Sequence, residues 1–390
     1  MMQNTMKKPK TIALRLTALA AGAALSGSVL AADLKIGFIT SLSGPISALG
    51  IPYNKGMQVA DSLKDSIAGH KVQVIVLDDA SDPATAARNA RKLVNEDKVD
   101  VLIGTSGVPG AMAIAAVARE THTPLISPTP VTVPADDGGW TVTVSQSFPL
   151  MISAVVDKMK ANGVKTVAFI GFSDALGDQT LHALEQSAAP AGIKIVANER
   201  YGRADSSVTG QVLKIVATRP DAVFFGTSGT PGALPILALA ERGYKGGLYA
   251  THGLVNSEFV RIAGKAADGL LVPSGPVTVA DQLPASNPNR KVGLQFREAY
   301  QKKFGEQPDP FAAYPFDAWL VFADAASRVG TKAEPGTPAY RQALHDAIGQ
   351  THELVGAHGV FNFKPGSPDG LDRRAAVMIR LDNGHWKLAQ

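Results

Sequence analysis

Between Leu34 and Ala250, short runs rich in β-branched and aromatic residues alternate with longer Ala-rich stretches whose apolar positions recur at the helical period. A strand separated from the next by ten or more helical residues cannot pair with it as a hairpin. Successive strands therefore lie parallel, with a helix crossing between them. The strand candidates are Leu34–Ile39, Val72–Leu77, Val101–Ile103, Leu125–Ser127, Thr166–Ile170, Lys194–Asn198, Ala222–Phe225 and Gly247–Ala250. The helical stretches are Lys55–Ile67, Pro83–Glu96, Gly110–Glu120, Phe148–Asn162, Leu176–Ala191, Ser206–Thr218 and Ala233–Arg242. The series restarts near Trp140–Phe148, so two doubly wound α/β sheets in tandem are expected rather than one long sheet. Near Val272 the alternation gives way to a proline-containing connection, Pro276–Pro288, and two further helical patterns, Arg290–Phe304 and Ala312–Ser327, which carry the chain back to the first lobe. The segment His358–Leu388 reads as hairpin-like strands around a turn at Pro365–Gly370.

The N-terminus sets the expected compartment. Lys7, Lys8, Lys10 and Arg15 precede an apolar, small-residue run from Leu16 to Leu30 that ends in Ala31-Ala32, the layout of a secretory signal peptide over residues 1–31. The run falls short of the ~20 residues a membrane span needs. A lipid-anchored form would need a Cys at the cleavage point, and the chain has none; disulfides, thiolate nucleophiles and Cys-based metal sites are absent with it. About 358 residues remain after cleavage, more than one core usually organises. The formal charge of +4 comes wholly from the four leader cations; without them 34 basic residues face 34 acidic ones, and nothing points to nucleic acid.

Three strand ends carry polar, Gly-softened triplets: Gly104-Thr105-Ser106, Gly171-Phe172-Ser173 and Gly226-Thr227-Ser228. Open α/β sheets bind ligands just beyond the carboxyl ends of their strands, so these triplets are expected to wall one crevice between the lobes. Catalytic patterns fail on inspection. Gly171-Phe172-Ser173-Asp174-Ala175 approaches a nucleophile elbow but lacks the final Gly, and an acid after the Ser would oppose an oxyanion hole. His345, His352 and His358 lack metal-ligand spacing. Asp78, Asp79 and Asp82 read as an acidic turn with Asp82 capping a helix that opens at Pro83. No phosphate loop or dinucleotide fingerprint occurs, so no catalytic residue, metal or cofactor is expected.

Read together, Leu34-Lys35-Ile36-Gly37, Ser43-Gly44-Pro45, Leu49-Gly50, Asp78-Asp79 with Asp82-Pro83, Leu102-Ile103-Gly104, Pro124-Leu125-Ile126-Ser127, Gly171-Phe172-Ser173-Asp174, Gly177, Ala267-Asp268-Gly269-Leu270 and Tyr314-Pro315-Phe316-Asp317-Ala318 resemble the periplasmic leucine/isoleucine/valine-binding proteins of ABC transporters. The resemblance implies the type I periplasmic binding protein fold, two Rossmann-like lobes joined by a three-segment hinge. The lobes would comprise residues 32–148 with 276–356 and residues 149–275 with 357–390. It further implies a monomer that traps a small molecule by hinge closure and hands it to a membrane permease.

On that resemblance the ligand loops of the first lobe fall at Ser106, Gly107 and Val108 and at Ser127 and Thr129. In the second lobe the resemblance reaches His252 and Leu176; Ser228 and Thr230 are candidates at the end of their strand, Phe172, Leu176, Tyr314 and Phe316 are candidates to enclose an apolar body, and Asp174 is a further candidate ligand residue. Two departures bear on the ligand. His252 stands where amino-acid binders resemble one another in placing an acid for the ligand's ammonium, and Leu176 stands where a Tyr commonly precedes the Gly. A buried ammonium without its counter-carboxylate costs several kcal/mol, so an organic carboxylate lacking an α-amino group, aromatic or otherwise apolar, is expected. A branched-chain amino acid is the alternative ligand, with Asp174 as substitute partner, and a periplasmic sensor is the alternative role.

Overall fold

The computed structural model describes residues 1–3, 32–364 and 366–389; residues 4–31 of the expected leader lie outside them. The first sheet has the order β2-β3-β1-β4-β5-β6, formed by β1 (Leu34–Thr40), β2 (Ser66–Ile67), β3 (His70–Asp78), β4 (Val101–Gly104), β5 (Leu125–Ser127) and β6 (Thr141–Thr143). All its pairings are parallel except that of β2 with β3. The helices α1 (Ser47–Asp61), α2 (Pro83–Asn95) and α3 (Val108–Thr121) connect its strands. β4 and β5 are buried along their whole length, as expected for parallel strands covered on both faces.

After α4 (Phe148–Ala161) the pattern repeats. β7 (Thr166–Phe172), α5 (Ala175–Ala188), β8 (Lys194–Tyr201), α6 (Thr209–Ala217), β9 (Ala222–Gly226), α7 (Ala233–Glu241), β10 (Gly247–Ala250), α8 (Ser257–Ala263) and β11 (Leu271–Ser274) build the second sheet. The chain then returns through α9 (Pro288–Phe304), α10 (Ala313–Val329) and α11 (Pro338–Gly349), which cover the first sheet: α10 packs on α1, and Arg341 of α11 donates to the carbonyls of Val99 and Val94. A small hairpin, β12 (Leu354–Val355) with β13 (Val360–Phe361), precedes the last crossing. β14 (Val377–Asp382) and β15 (His385–Leu388) then join β11 as antiparallel strands and complete the order β15-β14-β11-β10-β9-β7-β8. The architecture is thus the expected pair of α/β lobes with three chain crossings.

Side-chain caps explain several helix starts. Asp82 accepts from the Thr85 N–H at 2.7 Å at the head of α2, Asp174 accepts from Leu176 and Gly177 at the head of α5, and Asn256 accepts from Phe259 at the head of α8. Three sequence expectations move. The first helix spans Ser47–Asp61 rather than Lys55–Ile67, because the chain turns helical ahead of Pro52, and Ala68 and Gly69, both at positive φ, fold Ser66–Ile67 back onto β3 as a tight hairpin. The C-terminal hairpin turns at Asn383-Gly384, both left-handed, and not at the expected 365–370 segment. That earlier segment instead touches the first sheet, where Thr143 bridges Asp369. β6 and β11, which the alternation did not mark, are an edge strand of the first sheet and the seam to β14.

Candidate ligand-binding site

Because both sheets are essentially parallel, their carboxyl ends open toward the same crevice. Residues one to four positions past β4, β5, β7, β9 and β10 meet there: Ser106 and Val108, Thr129, Leu176, Ser228, and Thr251 with His252. Leu49 and Tyr53 from α1, Phe148 at the head of α4 and Phe311 before α10 supply the apolar remainder. None of these four was marked as a ligand residue in the sequence, since each lies on a helix or connection rather than at a strand end.

The first-lobe wall is a hydroxyl network. The Ser106 hydroxyl lies 2.8 Å from that of Thr40 and accepts from the Ser41 N–H at 3.2 Å. The Thr129 hydroxyl donates to the Thr105 carbonyl at 2.5 Å and the Tyr53 hydroxyl to the Pro128 carbonyl at 2.8 Å, while Ser127 donates to the Thr129 carbonyl at 2.6 Å and shapes the loop from behind. Gly107 caps α3 without a side-chain bond.

The second-lobe wall is built around His252, which is 6% exposed. Its Nδ1 lies 2.7 Å from the Met151 sulfur, and its ring packs on Phe311 (5.7 Å) and Tyr314 (5.4 Å). Burial pushes the imidazole down to about 4, so it is neutral near pH 7. Tyr314 forms the layer behind: it stacks on His358 at 3.6 Å and its hydroxyl donates to Gln146 at 2.8 Å. Burial, with His252 adding to it, pushes His358 down to about 3. Phe316 packs against Phe296 at 4.8 Å and lines an outer groove with Leu63 and Val355, so it is not brought to the crevice.

Beside this slot lies a second chamber of about 240 Å³, lined among others by Ser41, Asp79, Thr105, Gly107, Asp174 and Arg203. Asp174 accepts from Arg203 Nε at 2.6 Å as well as capping α5. Arg203 Nη1 donates to Ser228 at 3.1 Å, and its guanidinium lies 4.1 Å over the Phe172 ring. Phe172 is therefore a platform for Arg203 and fully buried. Thr230 opens a short 3₁₀ turn past Ser228. Arg203 follows β8 by two residues, the same strand-end rule that found the others, but β8 carries no Gly-Ser triplet to flag it.

Among the described residues no group of three His, Asp or Glu side chains could hold a metal ion, and no helix is long and apolar enough to cross a membrane. Comparison with known proteins agrees with the fold. The family described as periplasmic binding protein matches residues 33–378. A Leu/Ile/Val-binding protein homolog 3 of Brucella melitensis is 26% identical over 329 residues, 81% of this chain and 84% of that one. The solved extracellular ligand-binding receptor from Rhodopseudomonas palustris HaA2 is 38% identical, with TM-score 0.89 over 92% of this chain and 100% of the other. A leucine-binding protein from Thermotoga maritima is 25% identical, with TM-score 0.78 over 92% and 98% of the two chains.

Proposed function

Because this chain belongs to the periplasmic binding protein family, we propose that it acts in the periplasm as the monomeric binding subunit of an ABC uptake transporter. It would trap a small organic carboxylate between its lobes and release it unchanged to a membrane permease. The observation that carries the ligand class is His252: the second-lobe wall offers a buried, neutral imidazole and no free carboxylate. Asp174, the only substitute partner for an ammonium that the sequence suggested, is engaged by Arg203 at 2.6 Å. Within the slot itself an α-ammonium would meet no carboxylate, a cost of several kcal/mol, because Asp79 and Asp174 lie in the adjoining chamber and are held there by hydroxyls and by Arg203. A carboxylate suits the hydroxyls of Ser106 and Thr129 and the uncapped start of α3, while Leu49, Tyr53, Leu176 and Phe311 suit an apolar body.

The Leu/Ile/Val-binding names of relatives favour a branched-chain amino acid instead, and one experiment separates the two. Calorimetry with benzoate, 3-phenylpropionate and leucine is expected to show tight binding of an acid and weak binding of leucine. His252→Glu should weaken the acid at least ~10-fold, about 1.4 kcal/mol. Tight leucine binding by the wild type with no acid bound would overturn the carboxylate reading.

A further inference from the structure

The chamber beside the slot is polar, and one of its charged groups is incompletely satisfied. Arg203 spends Nε on Asp174 and one Nη1 hydrogen on Ser228, yet its buried Nη2 has no hydrogen-bond partner. A guanidinium held on one ring face and two fixed acceptors cannot swing to find another, so two N–H donors stay unpaired at the chamber wall until something supplies an acceptor. Ser228 lines the slot and accepts from Arg203, so slot and chamber meet at its hydroxyl.

The chamber's charges restrict what that acceptor can be. Asp174 balances Arg203, and Asp79 adds a further negative charge, its oxygens accepting from Ser41 at 2.7 Å, Ser81 at 2.9 Å and Thr105 at 2.5 Å. A second ligand carboxylate would meet net repulsion. An uncharged group would not, and a hydroxyl can accept from Nη2 while presenting its own proton to one of the carboxylates.

We propose that Arg203 is a specificity-determining residue that reads a hydroxyl on the ligand's body, making the ligand class a hydroxylated organic acid. The inference rests on the carboxylate reading given above and deepens it. A site built around an unpaired buried donor rejects a same-sized apolar group more strongly than an apolar pocket rejects an added hydroxyl, because the donor is left unsatisfied.

The test uses the mature wild-type chain, and Arg203→Lys, which keeps a cation beside Asp174 but loses the fork. Binding of 4-hydroxybenzoate and the near-isosteric 4-methylbenzoate is measured by calorimetry, and likewise the hydroxyphenyl- and methylphenyl-propionates. In the wild type the hydroxylated member of a pair is expected to bind at least ~10-fold tighter, and in Arg203→Lys the ratio should fall to within about 3-fold. If that variant does not fold, the wild-type ratio decides. Equal binding of both members overturns the hydroxyl subsite while leaving the carboxylate reading intact. A preference retained in Arg203→Lys overturns the assignment to Arg203. Binding of leucine and of no acid overturns the carboxylate reading and this inference with it.

Discussion

At the scale of single residues the crevice is governed by what burial does to charge. His252 titrates near 4 in the folded protein against an ordinary value of 6.5, so the unfolded chain binds the extra proton first as pH falls. The stability it contributes is complete above 6.5, is lost progressively down to about 4, and amounts to about 3 kcal/mol at ~1.4 kcal/mol per pH unit. Asp309 and Asp317, raised by burial to about 6 and about 7, act with the opposite sign and cost stability as pH rises from about 4 toward those values. Urea unfolding of the wild type and His252→Gln at pH 7 and pH 4.5 isolates the histidine: the variant should lose less stability on acidification, by up to about 3 kcal/mol. An equal loss in both proteins would refute the neutral buried imidazole. Position, not residue type, made such groups legible in sequence. His252 stands out because it replaces an expected acid, whereas Arg203 is one cation among 38 basic residues until β8 is seen to end beside the crevice.

Elements of the regular βαβ series could be read directly, because a strand buried on both faces and a helix with one apolar face leave periodic marks. Elements defined by close approach left weaker ones. α1 passes so near the turn before α10 that a Cβ on Gly56 would lie 1.7 Å from the Ala312 carbonyl oxygen, and one on Gly50 would lie 1.9 Å from that of Ser41. In the sequence only Gly56 falls inside the expected helical stretch Lys55–Ile67, Gly50 enters only through the family resemblance, and neither carries a mark of close approach. α1 carries Leu49 and Tyr53 into the crevice, and the turn it touches carries Phe311, so this contact sets the width of the slot. Gly56→Ala should therefore destabilise the fold by about 1–3 kcal/mol and also weaken ligand binding. Denaturant midpoints unchanged within error would show that the backbones can part at no cost.

At the scale of the whole molecule one polar tie between the lobes lies close to the slot. Ser257, at the head of α8, donates its N–H and hydroxyl to Asp309 at 2.8 and 3.0 Å, and the other Asp309 oxygen accepts from Phe311 at 3.0 Å. One carboxylate thus joins the second lobe to the residue that walls the slot. A ligand touching both lobes favours the state in which this bridge is made. Small-angle scattering should show a smaller radius of gyration with saturating ligand than without. Asp309→Ala should weaken binding with the slot's own side chains intact, and an unchanged radius would count against closure.

The late return of the chain has a consequence for the order in which the molecule can be made. The first sheet waits for its covering helices at 313–349, and β11 waits for β14, more than a hundred residues further on. A chain drawn out N-terminus first therefore exposes an apolar sheet face and an unpaired strand edge until almost its last residue is available. Neither lobe can complete its packing without a segment from the last third of the chain.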